Sequence, residues 1–316
     1  MKKLCSSTIA VGLAVSAAFH ASPAHAISFA QGLYGWTHAA DAAGMIDMVR
    51  ISETTGQATL QFKVPIPSGF QANDLTFDPT NGRLYGNLRD NAGNVRFAEI
   101  DPVTQTMNAV SYTGESLVSP VEGIEYSRNE DLRVPGKGLV ISGGDNRYRV
   151  THAGVVSNTT FTFPPLFDQD SLGANATGGE LHVFDSNNPN GSGYTINKWN
   201  DPPGPFAAGH TISNIYNGPI LTGNERDLAI EPSANTFYAS DLSRLVRFNL
   251  GSQQEVVVGS YNYPGEIWGI AFVSSASPPR PAPALGGRAT LAAAVALSLL
   301  GVCVWRRKQA FASHVA

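Results

Sequence analysis

Cysteine is nearly absent: the 316-residue chain has two, Cys5 and Cys303, and both lie in apolar end segments. The long middle can therefore form no disulfide, offers no thiol nucleophile and supplies no thiolate to zinc. Histidine does not fill the gap. His38, His152, His182 and His210 are scattered, without the H-x-H or H-x-x-x-H spacing that sets two imidazoles on one metal. The sequence has no G-x-S-x-G elbow and no glycine loop of the phosphate-cradling kind. The common serine and cysteine hydrolases and the nucleotide-binding folds are thereby excluded.

Positive charge is scarce as well. Of 21 Lys and Arg, seven (Lys2, Lys3, Arg280, Arg288, Arg306, Arg307 and Lys308) sit at the ends, whereas all 25 Asp and Glu fall between Asp41 and Glu266. The stretch from Ile27 to Pro279 keeps 14 basic against 25 acidic residues, a net charge of −11 with histidine neutral. A field of that sign repels nucleic acid and anionic lipid headgroups. Cations and neutral polymers such as glycans remain compatible partners.

Long hydrophobic runs are missing from the middle and present at both ends. Lys2-Lys3 precede an apolar run from Ile9 to Phe19, and Ala24-His25-Ala26 has the small-x-small pattern of a cleavage site. Residues 1–26 thus read as a secretory signal. Ala289 to Trp305 carries no charge and is followed at once by Arg306-Arg307-Lys308. That is near the lower length limit for a transmembrane helix, and the basic tail over 306–316 marks the cytoplasmic side. The chain is expected to cross the inner membrane and to stay tethered there, before any tail cleavage, with residues 27–275 outside and 276–288 as a proline-rich linker.

Helical periodicity is the last absence, between Ser28 and Val273. Short alternating runs such as Ala58-Thr59-Leu60-Gln61-Phe62 point instead to an all-β fold. These runs repeat. Asn73-Asp74-Leu75-Thr76-Phe77-Asp78-Pro79, a turn at Asn81-Gly82 and Arg83-Leu84-Tyr85-Gly86 are echoed by Asp227-Leu228-Ala229-Ile230-Glu231-Pro232 and Asn235-Thr236-Phe237-Tyr238. A looser copy begins at Gly123-Ile124-Glu125-Tyr126. Each hairpin is followed by further strands, and four strands in about 40–50 residues is the spacing of β-propeller blades. Glu266 to Phe272 reads as a first strand with no unit after it, and Gly32 to Trp36 as a second strand with none before it. Joining them makes a composite blade that closes the ring and removes its open edges. Five blades are counted: the composite, then 72–112, 120–161, 172–215 and 225–260; six shorter blades would also fit the length.

The tail carries a resemblance to a known family. Pro281-Ala282-Pro283, the apolar run and the cluster Arg306-Arg307-Lys308 resemble a PEP-CTERM sorting signal, with Ala282 where the motif has glutamate. The resemblance covers about 30 residues and implies recognition by a membrane-embedded exosortase, with Pro281, Pro283, Arg306 and Arg307 as the sorting residues. It implies delivery to the cell envelope or to the matrix of an exopolysaccharide-producing bacterium.

Aligning the first strands sets Asp74, Gly123, Asp227 and Gly269 at one position, with Glu122, Glu225 and Glu266 just upstream. First strands line a propeller's channel, so Asp74, Glu122, Asp227 and Glu266 are candidate ligands for a hard cation such as Ca²⁺ at one mouth. Loop-end solvation and local backbone hydrogen bonds are the plainer use of the same residues. Trp36, Trp199, Trp268, Tyr261 and Tyr263 are the residues a glycan-binding face would use; Trp268, inside a first strand, is expected in the core or channel wall, and Trp199 at the surface. The sequence therefore suggests an exported binding or interaction module whose partner is exopolysaccharide or another envelope protein. The alternative is a metal-dependent propeller hydrolase or lyase acting at the channel mouth.

Overall fold

A computed structural model describes residues 29–117, 121–127, 138–143, 146–162, 171–175, 180–185, 195–200, 211–217, 225–231 and 236–274. Tertiary contacts divide the chain into residues 1–275, which hold every described residue, and 276–316. The signal segment 1–26, the expected span 289–305 and the sorting residues Pro281, Pro283, Arg306 and Arg307 lie outside the described residues. Among the described residues no helix is long and apolar enough to cross a membrane.

The described strands pair into five sheets. The first chain segment supplies β1 (Gly32–Thr37), β2 (Met45–Ile51) and β3 (Ala58–Pro65). The next supplies β4 (Phe70–Asp78), β5 (Arg83–Asp90), β6 (Val95–Asp101) and β7 (Thr106–Ser111), then the short β8 (Thr113–Gly114). A third set is β9 (Val121–Tyr126), β10 (Leu139–Gly143), β11 (Asn146–Val150) and β12 (Val155–Thr162). A fourth is β13 (Ser171–Asn175), β14 (Glu180–Asp185), β15 (Thr195–Asn200) and β16 (Thr211–Asn217). The last strands are β17 (Glu225–Glu231), β18 (Thr236–Asp241), β19 (Arg244–Asn249), β20 (Gln254–Ser260) and β21 (Ile267–Val273).

β4–β7, β9–β12, β13–β16 and β17–β20 each form an antiparallel meander in chain order. The first sheet does not: its order is β21-β1-β2-β3. Leu33 pairs with Phe272, Tyr34 with Ala271, Gly35 with Ile270 and Trp36 with Gly269. The C-terminal strand is thus the innermost strand of a blade begun at the N-terminus. β21, β4, β9, β13 and β17 each touch the next, and β17 returns to β21. This closed circle of first strands makes the fold a β-propeller, with the first strands around a central axis.

Burial explains why these sequences make these strands. A middle strand is covered on both faces by neighbouring blades, so all six residues of β1 and of β18 are buried. Outer strands are wetted, and β3, β7 and β20 are mostly exposed or half-buried. Alternation directs side chains to the two sides of a blade. Leu33, Val49 and Ile51 pack on Tyr238, Leu245 and Ile270, whereas Tyr34, Trp36 and Met48 pack on Leu75, Leu84 and Ile100. The β8 strand lies parallel to β12, Thr113 beside Val155 and Gly114 beside Val156. It covers the outer edge of the third sheet, which would otherwise be open to pairing with another chain.

Trp36 corrects one expectation. It is not on a ligand-binding surface but fully buried, its Nε1 donating to the Asn73 carbonyl at 2.9 Å. Tyr261 is likewise buried, with its hydroxyl donating to Ser240 Oγ at 2.9 Å.

Candidate functional site

Four of the five first strands carry a β-bulge at the same place. Pairing gains one residue in β4 between Ala72 and Leu75, in β9 between Val121 and Ile124, in β17 between Glu225 and Asp227, and in β21 between Ile267 and Gly269. In β13 the register from Ser171 to Asn175 is unbroken. A bulge turns the backbone locally and re-aims the groups beside it. Here the N–H groups of Leu75, Ile124, Leu228 and Ile270, each one residue after the aligned Asp or Gly, turn to the axis.

They converge on Asp74 and Asp227. Leu75 N donates to Asp74 Oδ1 at 3.0 Å and to Asp227 Oδ2 at 3.2 Å. Ile124 N donates to Asp74 Oδ2. Leu228 N donates to Asp227 Oδ1 at 2.7 Å, and Ile270 N to Asp227 Oδ2 at 2.6 Å. Both carboxyl groups are buried, and the Leu75 N–H is shared between them. Loss of hydration, then the neighbouring Asp227 charge, holds the Asp74 carboxyl well above the usual carboxylate range.

The four acidic residues singled out in the sequence therefore do not share one place. Asp74 and Asp227 meet at the axis. Glu266 is exposed and accepts from Trp268 Nε1 at 2.9 Å, and the Glu122 side chain lies outside the described residues. Among the described residues no group of three or more His, Cys, Asp or Glu side chains is placed to hold a metal ion. The axial pair does not fit a cation either. Every one of its oxygens faces the hydrogen of a backbone amide, and that positive dipole end favours anionic charge.

Trp268 is the extra residue of its bulge, and this overturns its assignment to the core or channel wall. It is half-buried and stacks on His38, with ring centroids 3.4 Å apart and planes 11° apart. His38 is anchored in turn, its Nδ1 lying 2.7 Å from the Ala72 carbonyl. Beside this stack, the loop after β1 and the loop before β21 enclose a cleft of about 380 Å³ lined by His38, Asp41, Asp47 and Glu266. Lys63 Nζ bridges Asp41 Oδ2 at 2.8 Å and Asp47 Oδ1 at 3.1 Å. Tyr263, the partly exposed tyrosine of the set, donates its hydroxyl to Asp47 Oδ2 at 2.7 Å. Burial, then the hydrogen bond to Asp47, pushes that phenol up to about 12. The Trp199 side chain lies outside the described residues.

A second cleft of about 630 Å³ opens where β4 and β6 begin and β7 ends, lined by Phe70, Asp90, Arg96, Tyr112 and Glu115 among others. The Arg96 guanidinium sits 4.7 Å over the Phe70 ring. Because β4 starts beside His38, whose carbonyl accepts from Ala72 N at 2.9 Å, both clefts open on the face where the first strands begin.

No protein-family model matches the chain, and no curated protein matches it. Solved structures do. One is a nidogen–laminin complex, at 12% identity over 78% of this chain and 87% of that one, with a TM-score of 0.42. Another is TolB from Acinetobacter baumannii, at 16% identity, 77% of this chain, 57% of that one and a TM-score of 0.40. A third is the periplasmic gluconolactonase PpgL of Pseudomonas aeruginosa, at 11% identity, 72% of this chain, 81% of that one and a TM-score of 0.40. At these identities and scores none of them bears on what this chain binds or does.

Proposed function

We propose that the chain is an exported binding or interaction module of the cell envelope or extracellular matrix, and that its ligand seats on the face where the first strands begin. One observation carries the reading: the Trp268–His38 stack stands beside a polar cleft lined by Asp41, Asp47 and Glu266. A flat ring with carboxylates at its edge suits the apolar face and hydroxyl rim of a sugar. The excess of acidic residues in this segment disfavours polyanions, so a neutral glycan is the preferred ligand and an envelope protein the other. The metal-dependent hydrolase or lyase requires several oxygen ligands converging on one ion. The oxygens of Asp74 and Asp227 are turned instead to backbone amides.

The test is calorimetric titration of the purified chain with neutral oligosaccharides, repeated with Trp268→Ala. Loss of one aromatic contact, about 0.5–1.5 kcal/mol, is expected to weaken binding roughly two- to tenfold, with the fold unchanged by circular dichroism. Equal affinity of Trp268→Ala and wild type would remove this cleft from the reading. No binding to any oligosaccharide would leave the protein partner.

The proposal extends to the tail. Residues 278–308 would direct the chain to an exosortase-like enzyme, with the basic cluster held inside by its resistance to translocation. Mature protein recovered from the envelope or medium is then expected to lack Trp305 and everything after it. Mass spectrometry of the C-terminal peptide decides this. Intact Phe311–Ala316 on all of the surface protein would leave a plain membrane anchor.

A further inference from the structure

The axial carboxyl pair has no part in the ligand-binding reading, and its burial keeps it from any substrate. Its geometry still demands a function. Four backbone N–H groups, one each from β4, β9, β17 and β21, donate five hydrogen bonds to its four oxygens. That set of donors compensates one negative charge. Both carboxyls are buried away from water, and two like charges sharing one N–H donor disfavour ionisation of both at once.

We propose that Asp74 and Asp227 share one proton, that this proton fastens β4 to β17 across the channel, and that its loss in alkaline solution loosens the ring. In the fastened state Asp74 is the acid and donates to Asp227, which carries the charge and accepts from Leu75, Leu228 and Ile270. Loss of the proton to solvent leaves two anions side by side where four blades meet.

The surroundings hold the proton in place. From β9, Glu125 adds negative charge toward Asp74, its own carboxylate accepting from Thr76 Oγ1 at 2.9 Å. Tyr112, between β7 and β8, is half-buried; loss of hydration first and the Asp74 charge second keep its phenol protonated, and its hydroxyl donates to Asn87 Oδ1. Tyr261, after β20, is kept protonated by burial, with Asp241 of β18 and Asp227 adding to the effect.

The sign of the pH dependence follows. The folded pair binds a proton at a pH where an unfolded aspartate has already lost it, so the stability contributed by this shared proton is full below about pH 4. It falls as pH rises, by up to about tenfold in the unfolding equilibrium per pH unit, until the folded pair ionises. Asp41 and Asp90 have lowered values, from hydrogen bonds to Lys63 and Asn94 respectively, so their effect has the opposite sign and lies below pH 4.

Thermal melts of the full-length chain between pH 5 and 9 at fixed ionic strength test this, with Asp74→Asn and Glu125→Gln beside the wild type. The side-chain amide that Asp74→Asn introduces can donate permanently to Asp227, while its carbonyl oxygen faces Ile124. The wild-type melting temperature is expected to fall with pH, Asp74→Asn to remove the fall, and Glu125→Gln to keep it. An infrared carbonyl band of a protonated carboxyl should persist at neutral pH in the wild type. Asp74→Asn falling as steeply as wild type overturns the proposal. So does the absence of the infrared band, which reads the wild type alone should Asp74→Asn not fold. A rise in melting temperature with Ca²⁺ that Asp74→Asn abolishes would also overturn it, since the site would then hold a cation.

Discussion

Deleting residues 266–273 is expected to leave the chain unable to fold, because β21 belongs to three interfaces at once. It is the inner strand of the composite blade, and it touches both β4 and β17. The deletion removes Ile267, Ile270, Phe272 and Val273, all buried, at about 1.5–3 kcal/mol each. Their sum is comparable with the whole stability of an ordinary domain, about 5–15 kcal/mol. It also strips the inner edge of β1, exposing the backbone of Leu33 to Trp36 to pairing with other chains. Asp227 loses its bond from Ile270 as well. Expression, size-exclusion chromatography and circular dichroism check this. A soluble, monomeric truncation with an unchanged spectrum would refute closure by this strand.

Closure could be read from the sequence because it depends on local pattern. Glu266 to Phe272 and Gly32 to Trp36 each have the alternation of a strand and the wrong number of neighbours, and only their union mends both. The unit boundaries were equally visible: the stretch expected over 72–112 spans Phe70–Ser111, and that over 225–260 begins at Glu225 and ends at Ser260. The N-D-L and R-D-L repeats also placed Asp74 and Asp227 at equivalent positions on the axis.

What the carboxylates do there was not legible. Their role is set by which way four backbone amides point, and that direction is produced by bulges. A bulge is a count of residues against the partner strand, as between Ala72–Leu75 and the facing Leu88–Gly86, so no single residue announces it. The same device explains Glu266 and Trp268. Reading β21 as an unbroken strand keeps Trp268 in the wall of the channel and aims Glu266 at its mouth. The extra residue turns Trp268 out onto His38 and joins it to Glu266. The β8 strand was missed for a related reason, since two residues carry no periodicity and gain their place only from β12.

Trp36 was misplaced although a signal existed, in the glycines. Gly86 and Gly269 sit inside strands, where glycine marks a close approach of another group. Here that group is the indole. A Cβ on Gly269 would lie 2.1 Å from Trp36 Nε1 and 2.5 Å from the Asn73 carbonyl; one on Gly86 would lie 2.1 Å from Trp36 Cη2. The ring therefore fills the gap between the first sheet and β4–β5, and Trp36→Ala is expected to destabilise the domain by about 3–5 kcal/mol, read by urea denaturation. Gly86→Ala and Gly269→Ala should each destabilise it in the wild type by forcing the indole aside. In the Trp36→Ala background the cost of Gly86→Ala should shrink, leaving the approach of its Cβ to the Asp74 carbonyl at 2.7 Å. Contacting residues show such coupling and independent ones do not. Equal cost in both backgrounds would mean that the indole is not what requires glycine at these positions.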